Sequence, residues 1–142
     1  MPSVFLSYSH KDEVWKDRLK THLGVLELDT WDDRRIEGGA DWFEEIQDAM
    51  ARASVAVLLI SQHFLTSKFI LGEEVPRLLQ RRKTEGLSVI PVIVQTCAWD
   101  QVEWLRGILG RPLDGKALFS FKGDRRNQEL TKIAKEIREI LD

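Results

Sequence analysis

The residues best suited to chemistry in this sequence lie between Ser61 and Glu74, in the stretch SQHFLTSKFILGEE. Two adjacent carboxylates end the stretch, and Phe69 precedes Glu73 by four positions. At helical spacing, Glu73 falls outside the apolar stripe, on the side that it shares with Phe69 and Arg77. A carboxylate beside an aromatic ring at the edge of a sheet is a candidate catalytic group.

A structural role for Glu73 fits the same spacing. Glu73 and Arg77 are four residues apart, and a solvated ion pair at this spacing would stabilise the helix by about 0.3–0.5 kcal/mol. Pro76 lacks the N–H that would bond to the carbonyl of Gly72, and its ring crowds that carbonyl. We therefore expect either a bend between Gly72 and Pro76 or a regular helix that begins at Pro76.

The run before this stretch, residues 53–60, is apolar and β-branched over the length of a strand. Such a run is typical of a strand buried on both faces of a parallel sheet, and ligands bind at the carboxyl edge of such sheets. Helical patterns alternate with four similar runs, at residues 4–8, 28–31, 87–94 and 116–119. The alternation predicts an α/β fold with a parallel sheet and helices on both faces.

Composition narrows the class of protein. The chain has 142 residues, enough for a single domain over residues 1–142, which could be part of a longer protein. Its formal net charge of −2 argues against nucleic acid as a direct partner. The single cysteine, Cys97, excludes an internal disulfide and suits a reducing compartment, so we expect a cytoplasmic location. The sequence contains no secretory signal and no apolar run long enough to cross a membrane.

Several familiar sites are excluded by their missing motifs. No GxGxxG follows the first predicted strand, and no GxxxxGK[ST] occurs, so dinucleotide-binding Rossmann and phosphate-binding P-loop sites are not expected. His10, His22 and His63 lack the paired spacing of metal ligands, so no metal site is predicted. A triad built on Ser61, His63 and an acid would lack the GxSxG elbow.

Three motifs in order give the sequence a family resemblance. The opening VFLSYSHKDE, the loop DDRRIEGG at residues 32–39, and S-x-x-F-x-x-S-x-F-x-x-x-E at residues 61–73 resemble the motifs of TIR (Toll/interleukin-1 receptor) domains. The resemblance covers essentially the whole chain. The segment RPLDGK at residues 111–116 is similar to one common in bacterial members, which indicates a bacterial-type TIR domain.

The resemblance implies a flavodoxin-like five-stranded parallel sheet with helices on both faces. It also implies one of two functions. Many TIR domains are enzymes that hydrolyse or cyclise NAD+ and release nicotinamide, with NAD+ as substrate and no cofactor. Others are adaptors that assemble with further TIR domains without catalysis. We expect an NAD+ nucleosidase that is activated by self-association in immune or anti-phage signalling. The alternatives are a scaffold whose contact surface is the loop at residues 32–41, and a bacterial effector of host TIR signalling.

The resemblance also assigns roles to individual residues. Glu73 takes the catalytic position, four residues after Phe69, and Glu74 is the second choice. Cleavage passes through an oxocarbenium-like state that one carboxylate stabilises. Phe69 stands where the family more often has Trp, which weakens stacking but keeps an apolar wall.

The remaining residues of the expected site surround the ribose and phosphates. Trp42 would form the nicotinamide–ribose pocket with Phe69, and Arg34 or Arg35 would contact phosphate. The residues expected to line the rim of the pocket are Tyr8, Ser9 and Asp32. Structural alternatives are a core position for Trp42, a turn position for Ser9 and a loop cap for Asp32.

Overall fold

The fold is a parallel β-sheet covered by helices, as given by a computed structural model that describes residues 3–33 and 41–142. The strands are β1 (Ser3–Ser7), β2 (Asp29–Trp31), β3 (Val55–Ile60) and β4 (Ser88–Ile93). The helices are α1 (Glu13–Val25), α2 (Trp42–Arg52), α3 (Val75–Glu85) and α4 (Asp124–Leu141). The strand order is β2-β1-β3-β4, with every pairing parallel.

The central strand β3 is buried over its full length, which its continuous apolar sequence predicted. Because side chains alternate along a strand, its residues divide between two cores. Val55, Val57 and Leu59 face a core that contains residues of α1 and α4. Ala56, Leu58 and Ile60 face a second core with residues of α2 and α3. Helices therefore cover both faces of the sheet, and the predicted fold class is confirmed.

The predicted fifth strand, residues 116–119, is wrong, since the described part of the sheet has four strands. The chain instead forms a short 3₁₀ turn at Leu118–Ser120. One hydrogen bond, from Phe119 N to Val94 O at 3.0 Å, ties this turn to the segment after β4. Bonds from Ser120 N to Ala117 O and from Phe121 N to Leu118 O close the backbone on itself, so it cannot pair as a strand.

The connection after β1 sets the position of the site. The chain leaves β1 for β2 on one side and later returns to β3 on the other, so the strand order reverses between β1 and β3. Such a reversal opens a crevice at the carboxyl ends of the two strands, where ligands bind in open α/β sheets. Within residues 3–33 and 41–142, none of the helices is long and apolar enough to cross a membrane.

Candidate functional site

A cavity of about 840 Å³ lies at this carboxyl edge. Its walls come from the turn after β1, the segment after β2, the start of α2 and the segment that leads into α3. This volume falls within the range of small-molecule and cofactor sites. The residues that line the described part of the cavity are Tyr8, Ser9, His10, Lys11, Glu13, Asp33, Trp42, Ile46, Ser67, Phe69, Ile70 and Glu74.

A π-helical turn, Ile70–Glu74, connects the edge of the sheet to α3. In it the backbone N–H of Val75 donates to the carbonyl of Ile70, five residues earlier, instead of four as in an α-helix. The wider turn holds one additional residue between Phe69 and the next turn. Glu74, and not Glu73, consequently carries its carboxylate to the cavity that Phe69 also lines.

Pro76 explains why the wide turn occurs here. Proline has no N–H to donate to the carbonyl of Gly72, so the α-helical bond at this point is absent. The regular helix α3 begins beside Pro76, which stands in its first turn, where an N–H would be unsatisfied in any case. The sequence prediction of a break with regular helix beyond it is therefore confirmed. The glutamates lie in the break itself.

Glu74 is 8% exposed, and its carboxylate accepts a hydrogen bond from Ser7. The hydroxyl of Ser7, the last residue of β1, donates to Glu74 Oε1 at 2.7 Å. Burial raises the pKa of Glu74 to about 7, an effect that the Ser7 hydrogen bond opposes and the nearby Asp33 charge reinforces. A carboxyl with this pKa changes its charge near neutral pH.

Glu73, the first-choice catalytic residue, does not line the described part of the cavity. Its side chain is 43% exposed, and its Oε2 lies 3.4 Å from Nη2 of Arg77, one turn further along the helix. This arrangement is the solvated ion pair that the spacing of four residues also allowed. The structure therefore separates the two adjacent glutamates, with Glu73 on the surface and Glu74 in the cavity.

Aromatic rings form one wall of the cavity. The ring centroids of Trp42 and Phe69 lie 5.3 Å apart, with a tilt of 53° between the planes. Phe43 contacts both rings edge-on. Trp42 is half exposed and is not a core residue, so its indole is available to a ligand. The two aromatics that the sequence assigned to one pocket are thus brought together.

Tyr8 and Ser9 both line the cavity, and each makes a defined hydrogen bond. The Tyr8 hydroxyl donates to Asp33 Oδ1 at 2.7 Å. Ser9 Oγ accepts from the backbone N–H of Lys11 at 3.3 Å and caps a short 3₁₀ turn. His10 Nε2 contacts the other Asp33 oxygen, Oδ2. Asp33 is therefore held from two sides by residues of the β1 turn.

Asp32 does not lie on the rim of the cavity, and this expectation is corrected. Its side chain is fully buried, with Oδ2 at 2.9 Å from Lys20 Nζ and 3.8 Å from Lys16 Nζ. Asp32 therefore anchors the end of β2 to α1. Asp33, the next residue, lines the cavity where Asp32 was expected.

Arg34 and Arg35, the predicted phosphate contacts, lie outside the described residues. Lys11 is a cationic side chain of the described cavity wall. Among residues 3–33 and 41–142, no three His, Cys, Asp or Glu side chains are grouped in a way that could hold a metal ion.

A buried polar network supports the same edge of the sheet. Ser61 Oγ, just after β3, donates to Asp12 Oδ2 and accepts from the backbone N–H of Phe64 at 3.1 Å. Gln95, just after β4, donates to the other oxygen of Asp12 at 3.2 Å. Ser61 and Asp12 are both almost fully buried. The network joins the ends of three strands and gives Ser61 a structural role.

The sequence analysis chose Asp32 where the neighbouring Asp33 lines the cavity, and it ranked Glu74 second to the neighbouring Glu73. The signal for Glu74 was Pro76. A proline cannot donate to the carbonyl four residues earlier, which favours a turn with one additional residue. The adjacency of Asp32 and Asp33 offered no such signal. Which of the two side chains reaches the cavity depends on where β2 ends. The sequence of a strand of only three residues does not show where that strand ends.

Comparison with known proteins shows sequence relatives of this chain. The sequence profile of the TIR domain family matches residues 4–134. The protein y4lF of Sinorhizobium fredii, described as uncharacterized, is 33% identical over 143 residues, which are 98% of this chain and 43% of that protein. The chain thus spans less than half the length of this curated relative. A bacterial relative agrees with the bacterial-type resemblance of the sequence.

Solved TIR structures share the fold. The TIR domain of the Toll-related Receptor TRR-2 from Hydra magnipapillata has a TM-score of 0.65 at 18% identity, over 95% of this chain and 97% of that one. A structure of the RPS4 and RRS1 TIR domain heterodimer gives 0.68 at 18% identity, over 99% and 98%. The TIR domains of the activated Roq1 resistosome, which recognizes the pathogen effector XopQ, give 0.62 at 22% identity, over 95% and 84%. With the profile match over residues 4–134, these likenesses lead to one conclusion: the chain belongs to the TIR domain family.

Proposed function

We propose that this TIR domain cleaves NAD+ and releases nicotinamide, with Glu74 as its essential carboxylate. The observation that carries the proposal is the buried Glu74 carboxylate, held by Ser7 in the cavity that the Trp42 and Phe69 rings also line. Glu74 takes the place of Glu73, whose side chain is paired with Arg77 on the surface.

The departure of nicotinamide needs only one carboxylate at the scissile bond. The nicotinamide of NAD+ is already a cationic leaving group, so no acid is required to expel it. As the bond from the ribose carbon to the ring nitrogen breaks, positive charge develops on the ribose. A negative charge on a largely buried carboxylate stabilises that cation more strongly than the same charge in water. Glu74, held in one orientation by Ser7, meets this requirement when ionised.

The remaining walls suit the other parts of NAD+. Trp42 and Phe69 offer flat apolar surface to the nicotinamide ring and its ribose. Tyr8 and Ser9 stand on the same cavity wall. Lys11 offers a cation for phosphate, and a phosphate contact from Arg34 or Arg35 stays a prediction. The substrate, its products and a cytoplasmic location belong to the same proposal.

We propose further that self-association activates the domain for immune or anti-phage signalling. Support comes from the descriptions of the structural neighbours, one a TIR domain heterodimer and another part of an activated resistosome. These same descriptions support the second candidate, a scaffold that acts only by TIR–TIR contacts. The predicted contact loop lies largely outside the described residues, and its first residue, Asp32, is buried.

The test is NAD+ consumption by the purified protein at high concentration, with and without a crowding agent, while free nicotinamide is measured. The proposal predicts nicotinamide release that grows more than linearly with protein concentration and is lost in Glu74→Gln. Self-association without any nicotinamide release would reject the enzyme and favour the scaffold.

A further inference from the structure

Two consecutive residues at the end of β1 each hold a different carboxylate. Ser7 donates to Glu74 and Tyr8 donates to Asp33, both at 2.7 Å. Ser7 ends β1 and Tyr8 follows it. Because consecutive side chains of an extended segment point in opposite directions, these two residues orient two acids from two sides of the site. Both Glu74 and Asp33 line the cavity.

The two carboxylates differ in their access to water. Glu74 is 8% exposed, whereas the Asp33 side chain is 28% exposed. Asp33 Oδ1 accepts a hydrogen bond from the Tyr8 hydroxyl, and Asp33 Oδ2 contacts His10 Nε2. An ionised carboxylate has about four lone-pair sites, so Asp33 retains acceptor positions for a water molecule. The charges of Asp33 and His10 both act on the pKa of Glu74, which puts the three groups within electrostatic reach of one another.

We propose that Asp33 is the base that takes the proton from the water attacking the ribose, and that His10 passes this proton to solvent. The proposal rests on the NAD+ cleavage proposed above and gives the two acids different roles. Glu74 stabilises the positive charge on the ribose, and Asp33 deprotonates the attacking water. Tyr8 is a positioning residue that orients Asp33.

The proton and electron balance is complete without a further reactant. The bond from the ribose carbon to nicotinamide breaks, and its electron pair neutralises the ring nitrogen. The water oxygen bonds to the ribose carbon while one of its protons moves to Asp33. His10 contacts Asp33 through Nε2, and its side chain is 76% exposed. An unprotonated Nε2 therefore takes the proton from Asp33, and the imidazole releases a proton from Nδ1 to bulk water. The products are nicotinamide, ADP-ribose and one proton.

The test compares water with a nucleophile that has no proton to lose. A pyridine nitrogen attacks through its lone pair and needs no base, whereas water does. With acetylpyridine present, the wild-type protein should form both ADP-ribose and the acetylpyridine dinucleotide. Asp33→Asn should slow ADP-ribose formation by about 10²-fold, a typical contribution of general base catalysis. The same variant should keep most of its base exchange, so the ratio of exchange to hydrolysis rises.

The controls distinguish a base from a structural residue. Asp48→Asn, an exposed acid on α2, should leave the ratio unchanged. Tyr8→Phe removes the phenol donor to Asp33 and should raise the ratio by a smaller factor, which tests the assignment with Asp33 itself unchanged.

Two results would overturn the role of Asp33 and leave the proposed NAD+ cleavage intact. Equal losses of hydrolysis and exchange in Asp33→Asn would mean that Asp33 only shapes the cavity, and unchanged hydrolysis would mean that another group takes the proton. A wild-type protein that forms neither product would reject the proposed NAD+ cleavage itself, and the role of Asp33 with it.

Discussion

The Ser7 hydroxyl donates to the Glu74 carboxylate at 2.7 Å, across 67 positions of sequence. This bond joins the last residue of β1 to the π-helical turn before α3, at the point where the strand order reverses. It fixes the buried acid of the cavity to a buried strand of the sheet. The proposed chemistry depends on this bond in two ways, because it orients Glu74 and keeps the pKa of Glu74 from rising further.

Ser7→Ala should therefore shift the pH profile of NAD+ cleavage to higher pH. Without the hydroxyl, the ionised form of Glu74 loses its hydrogen bond, so a higher pH is needed to ionise it. Relative to the wild type, the variant should lose less activity at a pH high enough to ionise Glu74 fully than it loses at pH 7. The measurement is kcat/KM against pH, with the exposed Ser54→Ala as the matched control. An unchanged profile would show that Ser7 does not act through the charge of Glu74.

Protein stability should carry the signature of the same carboxyl. Burial raises the pKa of Glu74 from 4.5 to about 7, so between these pH values the folded protein keeps a proton that the unfolded chain releases. The contribution of Glu74 to stability is thus fully present below pH 4.5 and is lost as pH rises through 7. Relative to Glu74→Gln, the wild type should lose on the order of 1.4 kcal/mol per pH unit within this window.

Chemical denaturation of both proteins at several pH values gives this difference directly. The Glu73→Gln variant serves as the control, because its exposed side chain should show no comparable trend. A constant difference between the wild type and Glu74→Gln across the window would contradict the shifted pKa of Glu74.

Substitutions of the adjacent residues Asp32 and Asp33 should have different effects: loss of Asp32 should lower stability, and loss of Asp33 should lower activity. Asp32→Ala would remove the buried carboxylate that pairs with Lys20 and Lys16. Lys16 keeps Asp17 at 2.8 Å, so we expect a cost of about 3 kcal/mol, at the low end for a broken buried ion pair. Asp33→Asn should fold with near wild-type stability, because its side chain is partly exposed and keeps hydrogen-bonding capacity. Thermal melting of the two variants is the measurement. Similar melting temperatures for both would contradict the structural role of Asp32.

Trp42 should contribute to substrate binding more than to folding. It is half exposed, so removing its indole opens little core surface. A ring contact of this type is worth about 0.5–1.5 kcal/mol beyond its buried area. We expect Trp42→Ala to raise KM for NAD+ with a small change in melting temperature. A large loss of stability at unchanged KM would instead make Trp42 a structural residue.

The fold could be predicted from sequence for elements that are buried on one face, such as α4, or on both faces, such as β3. The uninterrupted apolar run of β3 and the clean stripe of α4 leave few alternatives, and the structure confirms both. The segment at residues 116–119 could not be predicted in this way. Four residues are too few to decide between an edge strand and a local turn, and backbone hydrogen bonds within the segment decide it.

The sequence could predict which turns form the cavity, but not which of two adjacent acids lines it. The aromatic pair Trp42 and Phe69 and the glutamate pair were assigned by the resemblance to TIR domains. The choice within the glutamate pair depends on a single additional residue in one helical turn, and the choice between Asp32 and Asp33 depends on where a short strand ends. Both are settled by tertiary packing, which favours burying Glu74 and Asp32 against specific partners.

The central claim is that Glu74 is the carboxylate that cleaves NAD+, and the matched pair Glu73→Gln and Glu74→Gln tests it most directly. The two variants remove the same charge from adjacent residues, one on the surface and one in the cavity. The measurement is nicotinamide release at equal, high protein concentration, with self-association of each variant verified in the same samples. We predict that Glu73→Gln keeps its activity and Glu74→Gln loses it. Loss of activity in Glu73→Gln with full activity in Glu74→Gln would contradict the assignment.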